Sequence, residues 1–278
     1  MSAVAPGHEV GRGLLSHRMS GTGEPLLLLN GGLMSMSAWD QVAVPLEATY
    51  RVLRCDFRGQ LLSPGEPPPT LAGHADDVRA LLDHLGFAGV HVAGTSFGGL
   101  VGLTLAALHP ERVLSLAVLT ATDRVLPENR LLAESLREAC RAAAEGGDGK
   151  RVLDLLFPHL FSADWLAAQS ETLAARREQL GALPTRWFRG LQGLLGALQG
   201  LDLRPLLDRV RCPVLVVAAE LDRTFPSDRS VALASALPNA TLEVVKGAGH
   251  ALVLEEPTRV LELIRSFLAR VGREGEES

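Results

Sequence analysis

Cysteine is scarce in this 278-residue chain and carries no pattern. Cys55, Cys140 and Cys212 are odd in number, far apart and in no CxxC or CxxH spacing, which argues against a disulfide framework or a zinc site and makes a reducing compartment the default. Basic runs are also missing. Lys and Arg number 27 against 32 Asp and Glu, a formal net charge of −5, and no block of them is long enough to track phosphates, so nucleic acid is not an expected partner. No stretch approaches the ~18 uninterrupted apolar residues of a membrane span, and "MSAVAPGHEVGRG" at the N-terminus has neither the basic nor the apolar part of a secretory leader. A membrane partner is not expected, and the expected location is cytoplasmic. Internal repeats and low-complexity tracts are absent as well. What remains, 47% hydrophobic and 21% charged, is the composition of an ordinary globular protein. The length suits one α/β core carrying an inserted subdomain.

Short apolar runs alternate with segments of helical period, the pattern of βαβ units around a mostly parallel, doubly wound sheet. The runs 25–30, 51–56, 89–94, 113–121, 212–220 and 240–247 read as strands buried on both faces. Between them, residues 71–86 place Val78, Leu81, Leu82 and Leu85 on one helical face, with Gly86 suited to the C-terminal cap. Residues 7–19 suggest an N-terminal antiparallel pair, "LLSPGEPPPT" (61–70) must be a loop, and the tail "REGEES" is expected to fray. One interval breaks the alternation. From 123 to 207 there are only helical segments, among them 128–145, 162–180 and 185–200. This predicts a helical insertion between a first core part, 1–122, and a second, 208–278.

Chemistry concentrates in "HVAGTSFGGLVG" (91–102). Gly94-Thr95-Ser96-Phe97-Gly98 fits G-x-S-x-G, in which a serine sits on a sharp strand-to-helix turn with its hydroxyl exposed beside the unpaired N–H groups of a helix N-terminus. A serine nucleophile needs a base, and the base needs an orienting acid. His250, in "KGAGHALVLEEP" after the last strand, is the base candidate. His74, His84 and His109 fall on crossover helices, His91 lies in a strand, and His8, His17 and His159 have no partner motif. For the acid, Asp222 in "ELDRTFP" is preferred and Asp123 in "LTATDR" is its rival. Oxyanion donors are expected from the backbone N–H of Phe97 and from the glycine-rich loop "NGGLMSMSAWD" (30–40), with Gly32 first and Leu33 next. That loop has no GxxxxGK[ST] or GxGxxG pattern, so nucleotide binding has little support.

These motifs resemble the α/β-hydrolase superfamily, in particular its cofactor-free esterase, enol-lactonase and haloperoxidase-like branch with a helical cap. The resemblance covers most of 24–125 and 205–270. It rests on Asn30-Gly31-Gly32 with Trp39 nine residues after Asn30, Asp56-Phe57-Arg58-Gly59, "GTSFGG", "ELDRTFP" and "GAGHALVLEEP". It implies the α/β-hydrolase fold, a Ser96, Asp222, His250 triad, oxyanion donors at Gly32 and Phe97, and no cofactor or metal. Two departures stand out: Asn30 replaces the usual histidine, and "RGQLLS" replaces R-G-x-G-x-S. Serine at 96, where haloalkane dehalogenases and epoxide hydrolases carry aspartate, argues against those chemistries.

The expected function is hydrolysis of a small to medium, mainly apolar carboxylic ester or lactone, by a monomer or homodimer. C–C bond hydrolysis, a lyase or acyl-transfer reaction, and a non-catalytic small-ligand receptor are the alternatives. The insertion carries Leu155, Leu156, Phe157, Leu160, Phe161, Trp165, Trp187, Phe188, Leu191, Leu194, Leu195 and Leu198. At least two thirds of these are expected to pack helix on helix and on the sheet edge and some to face Ser96, while Leu33, Trp187 and Phe188 are candidate substrate contacts.

Overall fold

The computed structural model describes residues 8–9, 15–61, 63–125 and 130–276. Its centre follows from four leucines. Leu26–Leu29, in strand β3 (Glu24–Leu29), have no accessible surface, and they divide by parity: Leu27 and Leu29 enter one hydrophobic cluster, Leu26 and Leu28 another. Successive strand side chains point to opposite faces, so an unbroken apolar run marks a strand with helices on both sides. Each leucine contributes about 1.5–3 kcal/mol by leaving water. The parity holds at β7 (Val214–Ala219), where Val214 and Val216 face one cluster and Leu215 and Val217 the other.

The remaining strands are β1 (His8–Glu9), β2 (His17–Ser20), β4 (Tyr50–Cys55), β5 (Val90–Thr95), β6 (Val113–Leu119) and β8 (Ala240–Val245). They form an eight-stranded sheet in the order β1-β2-β4-β3-β5-β6-β7-β8. Only β1–β2 and β2–β4 pair antiparallel, so the N-terminal pair is present; residues 7 and 10–14 of that stretch lie outside the described residues. β3 is flanked by β4 and β5, with Leu29 beside Cys55 and Gly94. This brings the ends of β3 and β5 side by side. One strand departs from expectation: β8 lies at the sheet edge, paired among the described strands with β7 alone, and residues 241–244 are exposed.

One face carries α2 (Leu71–His84) and α3 (Phe97–Leu108), the other α1 (Asp40–Leu46) and α12 (Pro257–Glu276). The Thr70 hydroxyl caps α2 by accepting from the Gly73 N–H at 3.2 Å, and Gly86 follows at φ +75°, the left-handed conformation that ends helices. Helix α12 runs through Glu276, so the tail does not fray up to that point; residues 277–278 lie outside the described residues.

Between β6 and β7 come α4 (Arg130–Ala144), α5 (Lys150–Leu160), α6 (Ala163–Ala168), α7 (Ser170–Gly181), α8 (Thr185–Ala197) and α9 (Arg204–Leu207). The single helix expected over 162–180 is two, broken at Gln169 (φ −105°, ψ 14°). Residues 128–129 of the first expected segment lie outside the described residues. α4, α5 and α8 share a third hydrophobic cluster that includes Cys140, Val152 and Phe188. At the base of the excursion the chain pairs with itself: Leu203 N–H donates to Asp123 O at 2.8 Å and Val125 N–H to Leu201 O at 3.1 Å. Leu203 and Leu207 pack into the cluster under the sheet.

Candidate active site

β5 ends at Thr95 and α3 starts at Phe97, so Ser96 alone makes the turn. Its backbone is at φ 51°, ψ −119°, a region costing about 1–3 kcal/mol for a residue with a side chain. Fixed neighbours hold it there: Ser96 N–H donates to Leu119 O at 2.8 Å and Leu100 N–H to Ser96 O at 3.0 Å. The flanking glycines permit close approach. A Cβ at Gly94 would stand 2.4 Å from Gly98 O, and one at Gly98 would stand 2.3 Å from Leu29 O, both inside van der Waals contact. The first turn of α3 therefore rests directly on the ends of β5 and β3.

His250 Nε2 lies 2.8 Å from Ser96 Oγ, and His250 Nδ1 lies 2.8 Å from Asp222 Oδ2. Asp222 Oδ1 is already occupied, accepting from the Thr224 and Phe225 N–H groups at 2.8 Å each. A carboxylate facing Nδ1 requires the proton on Nδ1, which leaves Nε2 free to accept from the serine hydroxyl. His250 and Asp222 are 4% and 6% exposed, so the pair is shielded from water, and the Phe225 ring meets the imidazole edge-on at 5.4 Å. The structure brings Asp222, not Asp123, to His250. Asp123 instead lies 3.8 Å from Arg229.

Beside Ser96, the loop after β3 carries Gly31 and Gly32; a Cβ built on Gly31 would stand 3.7 Å from Ser96 Cβ. Gly32 and Phe97 line the same cavity as Ser96 and His250. Neither the Gly32 nor the Phe97 amide donates to a protein acceptor among the described residues. Two free N–H groups beside a hydroxyl that is hydrogen-bonded to an imidazole can polarise a carbonyl and receive the negative charge that nucleophilic attack creates.

The cavity measures about 380 Å³, within the range of small-molecule sites, and its outer wall comes from α4, α5, α7 and α8. Leu33 and Trp187 line it; Phe188 does not. Residues 187 and 188 are about 100° apart around α8, so with Trp187 inward, Phe188 turns away. Its ring fills the space where a Gly149 Cβ would be, 2.2 Å from Phe188 Cζ. Most of the insertion's apolar side chains pack helix on helix or onto the core, as expected: Leu155, Leu156, Leu160, Trp187, Phe188, Leu191 and Leu195 in or against the third cluster, Leu194 and Leu198 in or against the one that contains α2 and α3. Many of them also face the cavity: of the twelve, Leu155, Trp165 and Phe188 stay out of the lining and the other nine are in it.

Three features escaped the sequence reading. Arg176 lines the cavity, whereas the exposed Arg186 does not; its spacing from Leu173 and Leu180 puts all three on one face of α7. Glu255 ties the histidine loop to the helical layer, accepting from the N–H groups of Gly249 and Ser162 at 3.1 Å each. Gln60 reaches the Gly31 and Gly32 carbonyls.

A strained serine between β5 and α3, joined to histidine and aspartate on loops after later strands, is the architecture of an α/β hydrolase. The sequence profile of the α/β hydrolase fold matches residues 24–257, and the chain belongs to that family: it is a hydrolase of the α/β fold. Among sequence relatives, a Caulobacter sp. (strain K31) protein named "Putative carbamate hydrolase RutD" is 31% identical over 267 residues, covering 94% of this chain and 95% of that one. Among solved structures, a thermophilic esterase from Thermogutta terrifontis superposes with a TM-score of 0.80 at 27% identity, covering 92% of this chain and 93% of the other. The enol-lactonase from Burkholderia xenovorans LB400 gives 0.79 at 27%, covering 92% and 96%. Among the described residues no helix is long and apolar enough to cross a membrane.

Proposed function

We propose that the protein is a serine hydrolase that cleaves carboxylic esters or lactones with a small to medium apolar acyl part, through an acyl-enzyme on Ser96. The observation that carries this reading is the unbroken relay from Ser96 Oγ through His250 to Asp222, 2.8 Å at each step, opening on an apolar cavity. Ser96 attacks the substrate carbonyl while His250 Nε2 takes the hydroxyl proton, and Asp222 holds the imidazole and stabilises its positive charge. The Gly32 and Phe97 amides bind the tetrahedral oxygen. His250 returns its proton to the leaving alcohol, then activates the water that releases the acid. The segment between the Asp123–Leu203 and Val125–Leu201 pairings acts as a cap, and Leu33 and Trp187 contact substrate.

The names of the sequence relatives favour a second reading, cleavage of a carbamate, whose carbonyl the same machinery would attack. Cavity size and lining argue for the ester: a small carbamate leaves most of 380 Å³ and its leucine walls unfilled. Mere ligand binding predicts no turnover of activated esters. A fluorophosphonate should label Ser96, p-nitrophenyl butyrate should turn over faster than a p-nitrophenyl carbamate, and Ser96→Ala should lose at least about 10³-fold in kcat. Retention of activity in Ser96→Ala would overturn the reading.

A further inference from the structure

The oxyanion loop is made of glycine, which by itself fixes no orientation, yet a preorganised amide is what such a site requires. Within the loop Met34 N–H donates to Gly31 O at 3.1 Å; the tether from outside it, which reaches both the Gly31 and the Gly32 carbonyl, comes from the turn after β4. Gln60 is 4% exposed, and its side chain makes three hydrogen bonds. Oε1 accepts from the Phe57 N–H at 2.8 Å, and Nε2 donates to Gly31 O at 2.9 Å and to Gly32 O at 3.2 Å. The Phe57 donor dictates which end of the amide is oxygen, so both Nε2 protons necessarily face the loop.

In a trans peptide the C=O of one residue and the N–H of the next point in opposite directions, and none of the described peptides is cis. Gly31 O and Gly32 N–H belong to one peptide. Holding Gly31 O toward Gln60 therefore aims Gly32 N–H away from Gln60, toward the cavity that Gly32 shares with Ser96. The bond to Gly32 O pins the next peptide plane in the same way. An accepted bond at a carbonyl also strengthens its own amide as a donor, by roughly 10–30% in a chain of bonds.

The turn that carries Gln60 is itself fixed from several sides. Gln60 N–H donates to Phe57 O and Ser63 N–H to Gln60 O, both at 2.8 Å. From above, α8 presses on it so closely that a Cβ at Gly190 would stand 1.9 Å from Gly59 O. The other end of the loop is held by the same turn: Asn30 Nδ2 and Met36 N–H both donate to Asp56 Oδ1, at 2.9 and 2.8 Å.

We infer that Gln60 is a positioning residue for the reaction, fixing the Gly32 amide toward the tetrahedral oxygen through the Gly31 carbonyl. The inference rests on the serine-hydrolase reading above. Gln60→Met keeps the size and removes the donors. Its kcat for p-nitrophenyl butyrate, per site titrated with fluorophosphonate, should fall about 10- to 100-fold, short of the ~10²–10³ that follows complete loss of an oxyanion donor. KM should stay within about twofold. Affinity for an alkylboronic acid, which forms a tetrahedral adduct on the serine, should fall by the same factor as kcat. A side chain that only stabilises the fold would lower the number of titrated sites and leave kcat per site unchanged. If Gln60→Met yields no titratable protein, Gln60→Asn, whose amide is drawn back by one methylene, carries the same measurements. The inference is overturned if kcat per site and boronate affinity both remain within about threefold of the native enzyme. Failure of native Ser96 to react with the fluorophosphonate would overturn the serine-hydrolase reading instead.

Discussion

The two sides of the cavity are built on opposite principles. Toward the sheet, polar groups are oriented by short hydrogen bonds: both Asp222 oxygens are occupied, Gln60 uses its donors and its acceptor, and Ser96 is held in a strained conformation. Toward the helical layer, the wall is mostly leucine and aromatic side chains from four helices. An apolar wall is non-directional and favours contact area over geometry. A satisfied polar network is specific and intolerant of partial removal. On the proposed function, chemistry belongs to the sheet side and substrate range to the helical side. Substitutions on the two sides should separate cleanly, the first acting on kcat for every substrate and the second redistributing kcat/KM among substrates.

The largest effect is expected at the acid. Asp222→Asn keeps the shape but favours the wrong imidazole tautomer, which costs about 10⁴ in the best-studied serine protease. Asp123→Asn, next to Arg229, should stay within about threefold. Steady-state kcat of both variants on one ester decides this, and a larger loss at 123 would transfer the role.

Below the sheet side lies a group whose effect is on stability. His74 has no exposed surface and meets Phe57 and Phe97 edge-on at 5.6 and 5.0 Å. Burial, reinforced by the Arg58 charge and opposed by the nearby Pro68 backbone, pushes its pKa from 6.5 down to about 4. Between pH 6.5 and 4 the unfolded chain binds a proton at this histidine that the folded chain does not, so stability falls as pH falls through that window. The full effect is about 3 kcal/mol. Burial lowers His91 as well, so the native protein alone does not isolate the term. The difference between native and His74→Phe unfolding free energies, measured in urea at pH 7 and pH 4, should shrink toward acid by that amount. Parallel curves would assign the acid sensitivity elsewhere.

How far the sequence discloses each side follows the same division. Ser96, Asp222 and His250 were legible because each sits in a short loop directly after an apolar run, and the chain order fixes which loops converge. Gln60 was visible only as an unusual residue in "RGQLLS". Its partners are backbone carbonyls 28 and 29 positions away, and backbone atoms leave no mark in a sequence. On the helical side the period gives the helices but not their rotation. Apolar residues surround enough of α8 that Trp187 and Phe188 are equal candidates until its packing against Gly149 and Gly59 is known. α7 has no clear apolar stripe, which hides Arg176.

Substrate chain length sharpens the comparison next. Each methylene buried in the cavity is worth about 0.8 kcal/mol, so kcat/KM should rise up to ~4-fold per CH₂ from acetate through butyrate to hexanoate until the space is full. Leu191 is the place to intervene, because its Cδ1 would lie 3.9 Å from a Cβ on Gly32. Leu191→Trp should flatten the series and spare acetate. Equal losses on all three esters would mean that the helical side also sets the chemistry.

The smallest effect tests the exception on the apolar side. Arg176 lines the cavity with no ion-pair partner among the described residues, while the adjacent Arg177 pairs with Asp154 at 2.5 Å and Glu178 with Lys150 at 2.5 Å. Arg176 is exposed, so its attraction for a carboxylate is screened and worth at most about 1 kcal/mol, roughly fivefold in rate. Arg176→Gln should lower kcat/KM for a dicarboxylate monoester by up to that factor and leave the neutral ester of equal length unchanged. The difference should fade at about 1 M salt, where screening shortens to ~3 Å. If both esters lose equally, Arg176 contributes its methylenes to the wall and the division between the two sides holds without exception. If the native enzyme prefers the charged ester outright, a cation rather than leucine governs selection, and the assignment of substrate range to apolar area fails.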